Sequence, residues 1–345
     1  MNNSPYVRLP VSVRAIMLKV LTALVPGILT YVWFFGAAVL VQIALAAVTA
    51  LAGEALMLGL RGKPIGVFLT DGSALVTACL IGLTFPPLAP WWLTVSMTLF
   101  AIVIVKHLYG GLGQNPFNPA MAAFAVAILA FPALMSQWPA VDVPDAPDAT
   151  GFAAQMRVVF QSQPPQDGLT MATPLDTLRT QLHTAQTHAT VDNVAGTHAA
   201  FGQIGGKGWE WIALAYLLGG LWLLREGVIS WHMPTAFLAA LALAAGAASL
   251  ASPDNYAGPL FHLASGGAML GAFFILTDPV SSPVTPRGKL IFAAGAGLLV
   301  WIIRTFGAYP DAVAFATLLM NLCVPLIDMH SQPPVFGRKN GNDKR

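Results

Sequence analysis

The sequence predicts an all-α polytopic membrane protein, with about ten transmembrane helices in two inverted five-helix repeats and an external loop between them. Three observations carry that prediction. Of 345 residues, 56% are hydrophobic and only 9% are charged, whereas soluble domains are about a quarter charged. The apolar residues gather into long runs, each close to the roughly 20 residues that a bilayer-spanning helix needs. A single long polar stretch, 139–208, interrupts those runs at mid-chain.

Taken in order, the first half (1–138) holds spans at about 19–38, 40–60, 73–88, 90–106 and 119–138, and the second (209–330) at about 209–225, 234–251, 261–277, 289–304 and 311–328. Two spans read as short or discontinuous. Gly72 and Ser73 open the third and Pro86 and Pro87 end it, while Ser265, Gly266 and Gly267 open the eighth and Asp278 and Pro279 close it. Irregular backbone at membrane depth is tolerated only inside protein or beside a cavity, so a site between the halves near the midplane is expected. The alternative use of these glycines is close helix packing. Pro119 and Phe124 match Pro310 and Phe315 at a constant offset, and Ser73, Thr84 and Pro86 match Ser265, Thr277 and Pro279 at nearly the same one. With five spans per half, such a repeat is inverted in the membrane.

Lysine and arginine set the orientation. With the N-terminus inside, thirteen fall on the inner side (Arg8, Arg14, Lys19, Arg61, Lys63, Lys106, Arg225, Arg287, Lys289, Arg338, Lys339, Lys344, Arg345) and four outside (Arg157, Arg179, Lys207, Arg304). Residues 139–208 are then external. That stretch is rich in Asp, Pro, Thr, His and Gln and reads as a water-exposed, partly irregular excursion. The polar tail 331–345 reads as cytoplasmic.

The net charge of +2 gives no footprint for nucleic acid. Cys79 and Cys323 lie inside apolar spans, which argues against a disulfide framework or a cysteine-bound metal. His183, His188 and His198 fit no standard metal spacing, so no metal site is expected. Glu54 is a carboxylate inside an apolar span. It is expected either to take part in a proton or cation step or to pair with Arg61 or Lys63. Asp71, Asp278, Asp311 and Asp328 sit at span ends and read as interfacial caps. The glycines of 110–113 follow no strand and precede no phosphate-loop lysine, so they are no dinucleotide fingerprint. Close approach of a flat ligand or a neighbouring helix suits them better.

The loop stretch 167–175 contains Asp167, Gly168, Thr170, Met171, Ala172, Thr173, Pro174 and Leu175. By spacing, Asp167 and Gly168 form a turn, and Thr170 or Thr173 caps a helix starting at Pro174. A threonine hydroxyl is a poor nucleophile, but an external enzyme could esterify one on an exposed peptide.

This stretch resembles the flavinylation motif of the NqrB/RnfD family, the membrane subunits of the sodium-pumping NADH:quinone oxidoreductase and of the Rnf complex. Asp167, Gly168, Thr170, Ala172 and Thr173 match that motif, while Met171 departs from its usual small residue. Residues 106–120, with Gly110, Gly111, Asn115, Pro116, Asn118 and Pro119, resemble a second family signature. Residues 271–283, with Gly271, Thr277, Asp278, Pro279 and Pro283, resemble a third. The short loops and the Pro174–Leu175 ending are more similar to the Rnf member.

The resemblance implies FMN joined to Thr173 by a phosphoester, and a second, non-covalent flavin such as riboflavin. It implies a bacterial inner-membrane complex linking NADH and ferredoxin chemistry to Na⁺ or H⁺ movement, with 139–208 periplasmic and both termini cytoplasmic. Partner subunits would deliver the electrons and a flavin transferase would perform the modification. Two other functions stand beside this one: a quinone-reducing subunit of the sodium-pumping relative, and a flavin-free channel or transporter on the same fold.

Overall fold

Every apolar span read from the sequence contains helix in the computed structural model, which describes residues 12–141, 151–161, 169–183, 189–309 and 311–332. Asp167, Gly168, Pro310, the side chain of His183, His188 and 333–345 lie outside the described residues. The described residues contain no strand, only isolated bridges at Pro139–Thr170 and Phe201–Gly206.

The first half runs α1 (Val13–Phe35), α2 (Ala38–Leu60), α3 (Ile65–Leu69), α4 (Ser73–Thr84), α5 (Trp91–Leu99), α6 (Pro119–Ala130) and the single turn α7 (Pro132–Met135). Helix α5 continues π-helically over Phe100–His107. The middle stretch holds α8 (Phe152–Gln161), α9 (Pro174–His183) and α10 (Val191–Thr197). The second half runs α11 (Trp209–Arg225), α12 (His232–Ala251), α13 (Pro259–Ala264), α14 (Ala268–Leu270, π-helical onward over Gly271–Ile275), α15 (Pro286–Phe306) and α16 (Val313–Ser331). Helices α1, α2, α12, α15 and α16 are each long and apolar enough to cross a membrane alone.

Local chemistry explains the boundaries. Ser12 Oγ accepts from Ala15 N–H to start α1, and Thr285 Oγ1 accepts from Gly288 N–H ahead of Pro286 to start α15. The division between the first two spans falls at Gly36, whose φ of +86° is left-handed. The buried Gln155 side chain of α8 seals this break: its Nε2 donates to Phe35 O (3.1 Å) and its Oε1 accepts from Ala38 N–H (3.3 Å). The middle stretch is therefore no free excursion. Among the described residues it carries three helices, and Gln155 docks α8 on the bundle.

The expected discontinuities are present. Helix α4 has 12 residues, about 18 Å at 1.5 Å per residue, too short to span alone. Ser265, Gly266 and Gly267 separate α13 from α14. The fifth span is also broken, at Phe131–Pro132, where proline ends α6.

The two halves pack alike. Helix α2 lies on α4 and α5 as α12 lies on α13 and α15, while α1 crosses α11 and α6 meets α16. Small residues allow the closest crossings. A Cβ on Gly219 would collide with the Ala23 carbonyl of α1, and one on Gly297 with that of Phe237. Trp33, Leu243 and Leu250 point outward at 83%, 74% and 88% exposure, as a bilayer solvent permits. Tyr31, Phe237 and Phe292 fill the interior.

Candidate functional site

Backbone pairing delivers Thr173 to the mouth of the bundle. Ala140 N–H donates to Leu169 O (2.9 Å) and Met171 N–H to Trp138 O (3.0 Å), so 169–171 is zipped to the chain leaving α7. Buried Leu169 anchors the strip between Leu88 and Val158. Helix α9 then starts at Pro174. Thr173 Oγ1 accepts from Asp176 N–H (3.3 Å), and Thr173 O accepts from Thr177 N–H (2.8 Å). Of the two threonines offered by the sequence, Thr173 is the cap.

Thr173, Pro174 and Leu175 also line a cavity between the two halves. Its walls come from α1, α4, α6, α7, α11, α14 and α16, and include Tyr31, Phe124, Trp138, Trp209 and Tyr216. Trp138 and Trp209 meet edge to face at 5.1 Å between ring centroids, and Tyr31 adds a third ring 6.1 Å from Trp209. The hydroxyls of Tyr31 and Tyr216 are buried without a hydrogen-bond partner. A flat, partly polar aromatic molecule would meet both the aromatic walls and those hydroxyls. Lys207 lines an adjoining small cleft together with Trp138, Ala172 and Thr173.

Of the remaining motif residues, Thr170 contributes backbone pairing, Ala172 is exposed, and Met171 packs on the main core. Met171 thus occupies a structural position, which accounts for a large side chain there.

In the wall of this cavity Asp311 accepts from Gly267 N–H (2.7 Å) and bonds the buried Arg304 (3.2 Å). Arg304 also donates to His262 O (2.7 Å) and Ser265 O (3.2 Å). Asp311 is therefore a cap, as expected, both for its own helix, through Val313 N–H (3.4 Å), and for α14, distant in sequence. Asp71 caps Ser73, Asp278 accepts from Val280 N–H and the Ser281 hydroxyl, and Asp328 accepts from Val284 N–H.

A second cavity opens at the opposite end of the bundle. It is lined by Ser73 and Thr77 of α4, Lys106, Asn115, Asn118, Phe273, Phe274 and Asp278. The 106–120 and 271–283 signatures therefore meet here. Asn118 holds the junction: its side chain caps α6, its N–H donates to Asn321 Oδ1, and its Nδ2 donates to Ile275 O. Beyond the helix end, burial pushes the Asp278 carboxyl above its ordinary range, against the two hydrogen bonds it accepts. On α4, Thr77 lines this cavity and Thr84 the other; these residues are about 10 Å apart along the axis.

Glu54 is buried next to this second cavity, and its partner corrects the expectation. Lys106 Nζ lies 2.8 Å from both Glu54 oxygens, with both side chains 3% exposed. Arg61 instead donates to Gly110 O (2.9 Å), and Lys63 lies over the Phe68 ring. Lys106 belongs to an apolar span that ends in charge, so the sequence reads it as facing water. The π-helical segment that carries it packs against α2.

Residues 1–337 match the family described as NQR2, RnfD, RnfE. The chain belongs to that family. A relative from Aeromonas hydrophila subsp. hydrophila, named as a subunit of an ion-translocating oxidoreductase complex, is 51% identical over 347 residues, which covers 98% of each chain. Relatives of the same name from Aeromonas salmonicida and Escherichia fergusonii are 50% and 48% identical, again over 98% of each chain. The family membership read from 106–120, 167–175 and 271–283 is thereby borne out.

Proposed function

We propose that this chain is the membrane subunit of a redox-driven, ion-translocating complex, that FMN is esterified to Thr173, and that a second, non-covalent flavin such as riboflavin uses the opposite cavity. The names of the relatives support the coarse function. The observation that carries the finer one is that Thr173 opens onto an aromatic cavity with two unpartnered tyrosine hydroxyls. Flavin supplies electron-transfer chemistry when bound, and the protein supplies position and electrostatics.

The residues around Thr173 suit a phosphoester. Thr173 is the N-cap of the ten-residue α9, where N–H groups and the helix dipole favour an anion. Asp176 N–H, now bonded to the hydroxyl, is the nearest such donor, and Lys207 contributes positive charge to the adjoining cleft. Tyr31 and Tyr216 would hold polar ring atoms, while Trp138 and Trp209 exclude water.

The Lys/Arg asymmetry supports an inner-membrane orientation with 139–208 periplasmic and both termini cytoplasmic. Lys106 and Arg304 are buried and leave that comparison, so thirteen to four becomes twelve to three (13 − 1 and 4 − 1) and the bias survives. Partner subunits would deliver electrons, and a flavin transferase would act on the loop. Peptide mass spectrometry of 167–179 from natively expressed protein tests the assignment: an FMN mass on Thr173 is expected, and an unmodified peptide from cells containing the transferase would overturn it.

A further inference from the structure

The Lys106 ammonium is shared between two environments. On one side it contacts both Glu54 oxygens at 2.8 Å, and on the other it lines the opposite-face cavity and donates to Ser73 Oγ at 2.8 Å. The Ser73 hydroxyl donates onward to the half-buried Asp71 (2.6 Å). Asp71, Ser73, Lys106 and Glu54 thus form one polar line leading from a partly exposed carboxylate to a buried one. His107 sits 3.6 Å from Glu54, too far for a hydrogen bond, and both of its ring nitrogens are buried and unpartnered. Arg61 is held on the Gly110 and His107 carbonyls, and Asp278 is the acid that lines the cavity itself. Lys106 is carried by a π-helical turn, a feature that recurs at functional sites because it costs helix stability.

We propose that Lys106 is a movable counter-ion linking the redox state of this cavity to cation occupancy at Glu54. The inference rests on the reading that the cavity holds a redox group. With that group oxidised, Lys106 neutralises Glu54 and no cation binds there. Negative charge arriving in the cavity with an electron would draw the Lys106 ammonium, which lines it, away from Glu54. Glu54 is left as a buried carboxylate without its ammonium partner, with only the His107 ring 3.6 Å away, a state too costly to persist. It takes up one Na⁺ or H⁺ along the Asp71–Ser73 line, so one cation enters per electron. Loss of the electron returns Lys106 to Glu54 and displaces the cation.

Redox-difference infrared spectroscopy of the intact complex tests this. Reduction of the wild type should produce a carboxylate difference band that moves in Glu54→Asp. Lys106→Gln should lose the band, and Lys106→Arg, which keeps the charge, should retain it. Conversion of the band into a protonated-carboxyl signal identifies the ion as H⁺, and a shifted carboxylate identifies it as a metal cation. A wild type without a Glu54 band, or a band unchanged in Lys106→Gln, overturns the link, and the wild-type result needs no variant to fold. Denaturation separates the two levels of the argument. Release of a non-covalent redox group equimolar with this chain supports the cavity reading, and no release removes that reading and the proposal together.

Discussion

Glu54→Gln should destabilise the helical bundle by about 3–5 kcal/mol, because it strands the Lys106 charge inside it. At 2.8 Å and an effective dielectric near 20, the attraction within this pair is about 6 kcal/mol before desolvation. With both side chains 3% exposed, bulk water and salt screen little of it. Replacing both partners by apolar residues of similar size, Glu54→Leu with Lys106→Met, removes both desolvation costs and should recover most of the loss. The assay is equilibrium unfolding in mixed detergent micelles, run as a double-mutant cycle. Single variants should each fall by several kcal/mol, and the double variant should lie well above their sum. Single losses within about 0.5 kcal/mol of wild type, adding independently, would refute a buried charged pair.

Other outcomes follow from the same geometry. Gly219→Val places a branched side chain on the Ala23 carbonyl and should prevent α1 and α11 from crossing, read as loss of folded protein by gel filtration. Tyr31→Phe and Tyr216→Phe should leave flavin attached to Thr173 but shift its absorption spectrum, since each removes an unpartnered hydroxyl from the cavity wall; unchanged spectra in both would place the ring elsewhere. Ala195→Cys, exposed on α10, should react with a membrane-impermeant thiol reagent in intact spheroplasts of a strain lacking Cys79 and Cys323, and labelling only after lysis would reverse the orientation.

The helical architecture was legible because bilayer length and apolar runs are local properties. The breaks at Ser73, Pro86 and Ser265–Gly267 were legible for the same reason. Thr173 as a helix cap was one of two threonines allowed by spacing, and backbone pairing of Thr170 with Pro139 decides between them. What stayed hidden depends on contacts distant in sequence. Gln155 closes the α1–α2 break from 120 residues away. Asp311 caps a helix 44 residues earlier. Arg304 and Lys106 read as surface charges because both end apolar spans, yet both turn inward. No periodicity marks the π-helical turns that lead both family signatures to one cavity.

Thr173→Val asks whether flavin is esterified to Thr173. Valine has nearly the shape of threonine but no hydroxyl, so no phosphoester can form, and loss of the α9 cap should cost only about 0.5–2 kcal/mol. With the flavin transferase coexpressed, wild type on a denaturing gel should fluoresce at the mass of the protein, and Thr173→Val should be dark while eluting as folded protein. Fluorescence that survives in Thr173→Val, or a dark wild type, would contradict the account.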